Sequence, residues 1–202
     1  MAFYQFILVF FLERRLPLPP PAPRQHLHTR EAVYRGYRRE SGGWDIEAEL
    51  RDTKTYDMKV IGETDLPAGT PVHHLAIRMT LDDALVVQDI LVAMDGTPHD
   101  SCSQAITSLA PMIGVKVGSG WRKAIETRLG GVQGCTHLRE LLFNMATATF
   151  QSVHPGESVL RSDKPPLFLG QCMTWDTRGP LVQRIMPQFY QLDINRNTTL
   201  KT

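Results

Sequence analysis

Cysteine is scarce in this 202-residue chain. Three residues of it, an odd number, make no disulfide framework, so reduced thiols and a cytoplasmic setting are expected. An excess of one charge sign is lacking as well: 22 Lys and Arg stand against 21 Asp and Glu, leaving +1. That balance gives no general electrostatic footprint for nucleic acid or an anionic membrane. Long apolar runs are also missing. The longest, Phe6 to Leu12, falls far below the roughly 20 residues a spanning helix needs. Glu13, Arg14 and Arg15 follow it and nothing basic precedes it, which is not the layout of a secretory signal. There is no internal repeat, no Gly-x-Ser-x-Gly elbow and no His-Glu-x-x-His helix. Gly114-Val-Lys-Val-Gly118-Ser-Gly120 is followed by Trp121-Arg122 rather than Gly-Lys-Ser/Thr, so it is no phosphate loop. What remains, at 42% apolar, is the composition of one globular domain with a core of its own.

The chain divides into three parts. Leu16 to Pro23 reads LPLPPPAP, an extended polyproline-like stretch. Residues 1–29 are therefore expected to be a poorly ordered Pro-rich leader, with residues 1–15 either native or the product of an upstream start codon. Residues 30–156 form the expected single α+β domain. Its first half alternates with period two: Trp44, Ile46, Ala48 and Leu50, then Tyr56, Met58 and Val60 after a turn around Asp52 to Lys54, then Leu75, Ile77, Met79 and Leu81. Asp82-Asp83 turns that last strand into another, Leu85 to Met94, and Ala32 to Arg39 can open the sheet. Three to five antiparallel strands result. After Pro98 the period becomes helical. A Ser101/Gln104 capping box predicts a helix from Cys102 to about Pro111, and Ser119 caps a second that ends at Gly130-Gly131. Leu138, Leu141, Leu142, Met145 and Ala148 form the core stripe of a third, stopped by His154-Pro155-Gly156. Three helices on one face of a sheet is the expected architecture. Residues 157–202, broken by Pro165-Pro166, Gly179-Pro180 and Pro187, are expected to wrap the domain irregularly.

Two cysteines, Cys102 and Cys135, fall where helices are predicted to begin, and unpaired N–H groups there favour the thiolate. Filling the core as a small apolar side chain is the alternative role. Gly134-Cys135-Thr136-His137 adds an imidazole two residues on, either a ligand or an exposed first-turn residue. His73 has the parity of Leu75 and Ile77 and points inward, whereas His74 has that of Arg78 and Thr80. Cys172 either completes a site or plugs an apolar hole, the plug being favoured. Asp57 and Asp100 suit turn and capping roles. Arg30, Arg35, Arg38 and Arg39 either contact an anion or guard an edge strand.

LPLPPPAPRQHLHTR at 16–30, Pro67-Ala-Gly-Thr-Pro71-Val-His73, Gly120-Trp121-Arg122 and Gly134-Cys-Thr-His-Leu-Arg-Glu-Leu-Leu resemble a bacterial family known as domain of unknown function 2889. His74-Leu75 and Pro98-His99 depart from its usual Asp-Met and Pro-Tyr, which argues against essential roles for His74 and His99. The order of His73 at a strand start, Cys102 at one helix start and Cys135-Thr136-His137-Leu138 at the last is similar, more distantly, to NifU-type iron-sulfur scaffolds. That resemblance implies a scaffold-like fold in which His73, Cys102 and Cys135 converge on a metal. The scaffold's first cysteine and the His directly before its last one have no counterpart here.

These readings lead to a metal-binding module with His73, Cys102 and Cys135 as ligands and His137 or Cys172 as the fourth, suited to zinc or an iron-sulfur cluster. A small-molecule enzyme using Cys102 or Cys135 as nucleophile and His73 or His137 as base is the alternative, and a non-catalytic interaction protein the second. A small molecule or a protein is the expected partner, with no nucleic acid and no membrane; homo-oligomerisation is left open.

Overall fold

The computed structural model describes residues 18–153, 163–166 and 168–191. Most of the leader, including its apolar run, and His154-Pro155-Gly156 lie outside them. Four strands, β1 (His28–Arg38), β2 (Trp44–Lys54), β3 (Pro71–Leu81) and β4 (Val87–Gly96), form one antiparallel meander in that order. Two helices follow, α1 (Trp121–Leu129) and α2 (Thr136–Ser152), and a third, α3 (Pro180–Ile185), lies in the C-terminal part. The architecture is α+β.

Side-chain parity explains the layering. Ile46, Ala48 and Leu50 of β2 and Leu75, Ile77, Met79 and Leu81 of β3 are buried on one face. They meet Leu138, Leu141, Leu142 and Met145 of α2 and Trp121, Ile125 and Leu129 of α1 in one core. The i, i+3, i+4, i+7 spacing on α2 is what presents that stripe to the sheet. Trp121 anchors the helix pair by donating its indole N–H to the Leu142 carbonyl at 2.8 Å. The other face of the sheet carries ion pairs such as Arg78–Glu47 (2.7 Å) and His74–Glu49 (3.0 Å), as the opposite parity requires.

Several elements differ from expectation. β1 starts at His28, inside the stretch expected to be leader. β2 continues through Lys54, so the expected turn at Asp52 is strand. Met58 makes only an isolated bridge to Leu66 rather than a strand. The first expected helix is instead a 3-10 segment, Asp100–Thr107, in which no residue is buried and no side chain caps the start. Its Ser- and Thr-rich sequence competes for backbone hydrogen bonds, and without core contacts nothing imposes the wider α-helical winding. Gly120, at φ 87°, caps α1 in place of Ser119, a left-handed conformation that glycine adopts without strain.

β3 is irregular where the candidate site begins. Its ladder to β2 shifts just past the Asp52–His73 rung, with Thr53 facing Pro71, and its ladder to β4 shifts between His74 and Leu75. Bulges of this kind re-aim side chains at a strand end. The N-terminus of α2 packs at the same end. Among the described residues no helix is long and apolar enough to cross a membrane.

Candidate metal centre

Asp52 is the next residue of core parity after Ile46, Ala48 and Leu50, and it is only 3% exposed. A carboxylate at the end of an apolar row must be compensated, and the sheet register supplies the means. Arg30 of β1 and His73 of β3 sit directly opposite Asp52 on either side. Asp52 Oδ2 accepts from Arg30 Nη1 at 2.7 Å and pairs with His73 Nδ1 at 3.0 Å. His28 Nε2 lies 3.1 Å from Oδ1. Three of the roughly four acceptor positions of a carboxylate are thereby used, leaving one.

The start of α2 closes the cluster. His137, in its first turn, lays its ring on that of His73 with centroids 3.9 Å apart and a 41° tilt. Ligating atoms of Asp52, His73 and His137 all lie within 4.8 Å of one another. Small shifts would bring them to the roughly 2.0–2.2 Å bonds of a zinc ion placed between them. One helical turn on, Glu140 takes the other arm of the Arg30 guanidinium, which thus bridges two carboxylates. Side-chain exposure rises from Asp52 (4%) through His73 (16%) to Arg30 (34%) and His28 (37%). Glu140 is more exposed still (53%), so the cluster opens between β1 and α2.

Burial, reinforced by His137 alongside, holds the His73 imidazole below its ordinary pKa of 6.5 against the pull of Asp52. The neutral ring, with a lone pair to give, is the favoured form. Cys135 is the N-cap of α2, its Sγ 3.9 Å from His137 Nδ1. Burial pushes the Cys135 thiol up, but His137 and the first-turn N–H groups of Leu138 and His137 outweigh it and leave the pKa below its usual 9.0. A carboxylate and two imidazoles make a donor set for a borderline divalent cation, with the Cys135 thiol beside His137 but outside the group of three.

The structure brings His73 and His137 together and sets Cys135 against His137. Cys102 is half-buried in the 3-10 segment after β4 and Cys172 is exposed, and neither belongs to the group of ligating atoms. Its exposure means Cys172 plugs no apolar hole. Asp57 serves a turn, accepting from the Ala68 N–H at 2.9 Å. Arg35 and Arg39 pair with Glu49 and Asp45 on the sheet, and Arg38 pairs with Asp83 and lies over Trp44. Sequence reasoning missed Asp52, His28 and Arg30 as parts of this cluster. The signal was present in the parity of β2, where a carboxylate continues a run of core positions.

A family model described as a protein of unknown function, DUF2889, matches residues 28–151. That range runs from the first residue of β1 almost to the end of α2 and contains every group just described. No curated protein and no solved structure gives a significant match.

Proposed function

The chain belongs to the DUF2889 family, and we propose that its α+β domain is a binding module for a single divalent metal ion, zinc by the chemistry of the donors, held by Asp52, His73 and His137. The carrying observation is the meeting of these three ligating atoms, from β2, β3 and α2, within 4.8 Å. Two imidazoles and one carboxylate match the ligand types of zinc sites that keep a position open. An iron-sulfur cluster is the weaker fit, because it is held mainly by thiolates and only Cys135 stands nearby. Of the ligand order that suggests NifU-type scaffolds, this reading uses His73 at the start of β3 and His137 at the start of α2 and leaves out Cys102, whose 3-10 segment supplies no donor to the group.

Metal analysis of protein purified without oxygen tests this reading. The wild type should hold about one equivalent of zinc, and Asp52→Asn and His73→Gln should each lose most of it. Cys102→Ser should keep it. Full metal content in both Asp52→Asn and His73→Gln overturns the assignment, as does a coloured cluster that depends on cysteine.

One observation favours a second reading. The lowered Cys135 pKa and the 3.9 Å approach to His137 suit a nucleophile and base pair, with Asp52 and His73 holding His137 in place. If the second reading holds, the metal-free protein reacts rapidly at Cys135 and the His137→Ala variant does not.

A further inference from the structure

We propose that the ion held by Asp52, His73 and His137 takes as its remaining ligand a small oxyanion, a carboxylate- or phosphate-bearing molecule, gripped on its far side by Arg30. This deepens the metal reading above and rests on it.

Three observations support the choice of an anion. The first is access: Glu140, His28 and Arg30, the exposed members of the cluster, flank its open side, so a molecule reaching the buried donors passes the guanidinium and the Glu140 carboxylate that sits on it. The second is charge. The Asp52 and Glu140 carboxylates against the Arg30 guanidinium sum to −1, and a divalent ion raises that sum to +1, so that an anion completes the balance. A zinc ion with three protein ligands keeps a fourth position for it. The third is that Arg30 already holds an oxyanion. The Glu140 carboxylate sits on its second arm, and Glu140 is half exposed, where such pairs are weak and exchangeable. Arginine offers five N–H donors in a fork matched to carboxylate and phosphate, and the contacts to Asp52 and Glu140 occupy two of them. An incoming oxyanion needs only to take the place of Glu140, one oxygen on the metal and another on the guanidinium.

The experiment uses the full chain loaded with cobalt(II), whose visible spectrum reports its ligands, titrated with oxalate in one arm and inorganic phosphate in the other. Sodium chloride at matched ionic strength is the blank. A saturable spectral change in either arm is expected, and the responding arm identifies the oxyanion. Arg30→Gln should weaken the response about tenfold, the loss of one charge-assisted hydrogen bond. Glu140→Gln, which removes the competing carboxylate from the surface, should strengthen it, while Arg35→Gln on the opposite face should leave it unchanged. If Arg30→Gln does not fold, the direction of the Glu140→Gln effect decides. Cobalt uptake with no response in either arm overturns this inference and leaves the metal site standing, as does a Glu140→Gln response no stronger than wild type. Absence of cobalt uptake by the wild type overturns both.

Discussion

Replacing Asp52 by Asn keeps the volume of a buried side chain and removes its charge. Asp52 serves Arg30, His73 and His28 from two oxygens. Whichever way the amide is turned, its NH2 group meets a former donor. The contact to Arg30 is the largest loss, because hydrogen bonds to charged groups are worth about 1.5–3 kcal/mol. Arg30 keeps Glu140 and is 34% exposed, so it is not stranded as a fully buried charge would be. The expected cost in metal-free protein is therefore about 2–3 kcal/mol, below the 3–5 kcal/mol of a sealed pair. Urea denaturation followed by tryptophan fluorescence measures it, with Trp44 and Trp121 as reporters, and Tm should fall by roughly 5–10 °C. Repeating the measurement with zinc adds a second arm. At 100 times Kd the ion stabilises a protein that binds it by about 2.7 kcal/mol, so the gap between wild type and Asp52→Asn should widen by up to that amount. A loss under about 0.5 kcal/mol, the scale of ordinary surface changes, would refute the claim that Asp52 organises this end of the sheet. Equal zinc stabilisation of both proteins would refute its role as a ligand.

Other predictions follow from the same geometry. In chelator-treated protein, folding holds the His73 pKa below its unfolded value of 6.5. The unfolded chain then binds more protons in the window below 6.5, so the contribution of His73 to stability is complete above that window and is lost as pH falls through it. Urea midpoints across pH should show a slope that His73→Gln flattens; identical slopes would contradict this. Alkylation of Cys135, followed by mass spectrometry, should have a midpoint below 9.0 that His137→Ala moves upward; a midpoint unaffected by that change would remove His137 as the cause. A methyl group at Gly36 would lie 1.7 Å from Ser152 Oγ. Gly36→Ala should therefore cost about 1–3 kcal/mol by overpacking, and Ser152→Gly in the same protein should recover part of it.

The strands, the helix-covered face and the core stripe of α2 were legible because each burial pattern repeats often enough to declare its period. His73 was readable as inward for the same reason, two residues from Leu75. The 3-10 segment at Asp100–Thr107 was not, because a capping box specifies where a helix could start and nothing about whether a core will hold it. Asp52 reads as a turn residue in the sequence because aspartate is common in turns, and its compensation depends on residues 22 and 21 positions away, Arg30 and His73, which only strand register brings opposite. Arg30 looked like one of several edge arginines; its parity and its rung, not its type, separate it from Arg35.

The register slip beside the Asp52–His73 rung gives that end of the sheet a joint. Below it the ladder from Leu50 and Leu75 onward runs without a shift through Ile46 and Met79, so the apolar sandwich is indifferent to how the last rung is set. Removing the surplus residue, Val72, should slide the preceding loop without moving His73, whereas adding or removing one residue between His73 and Leu75 would turn the imidazole to the opposite face. Tolerance to length change in this strand should therefore switch abruptly within two positions, separating residues that merely hold the domain together from those that equip it.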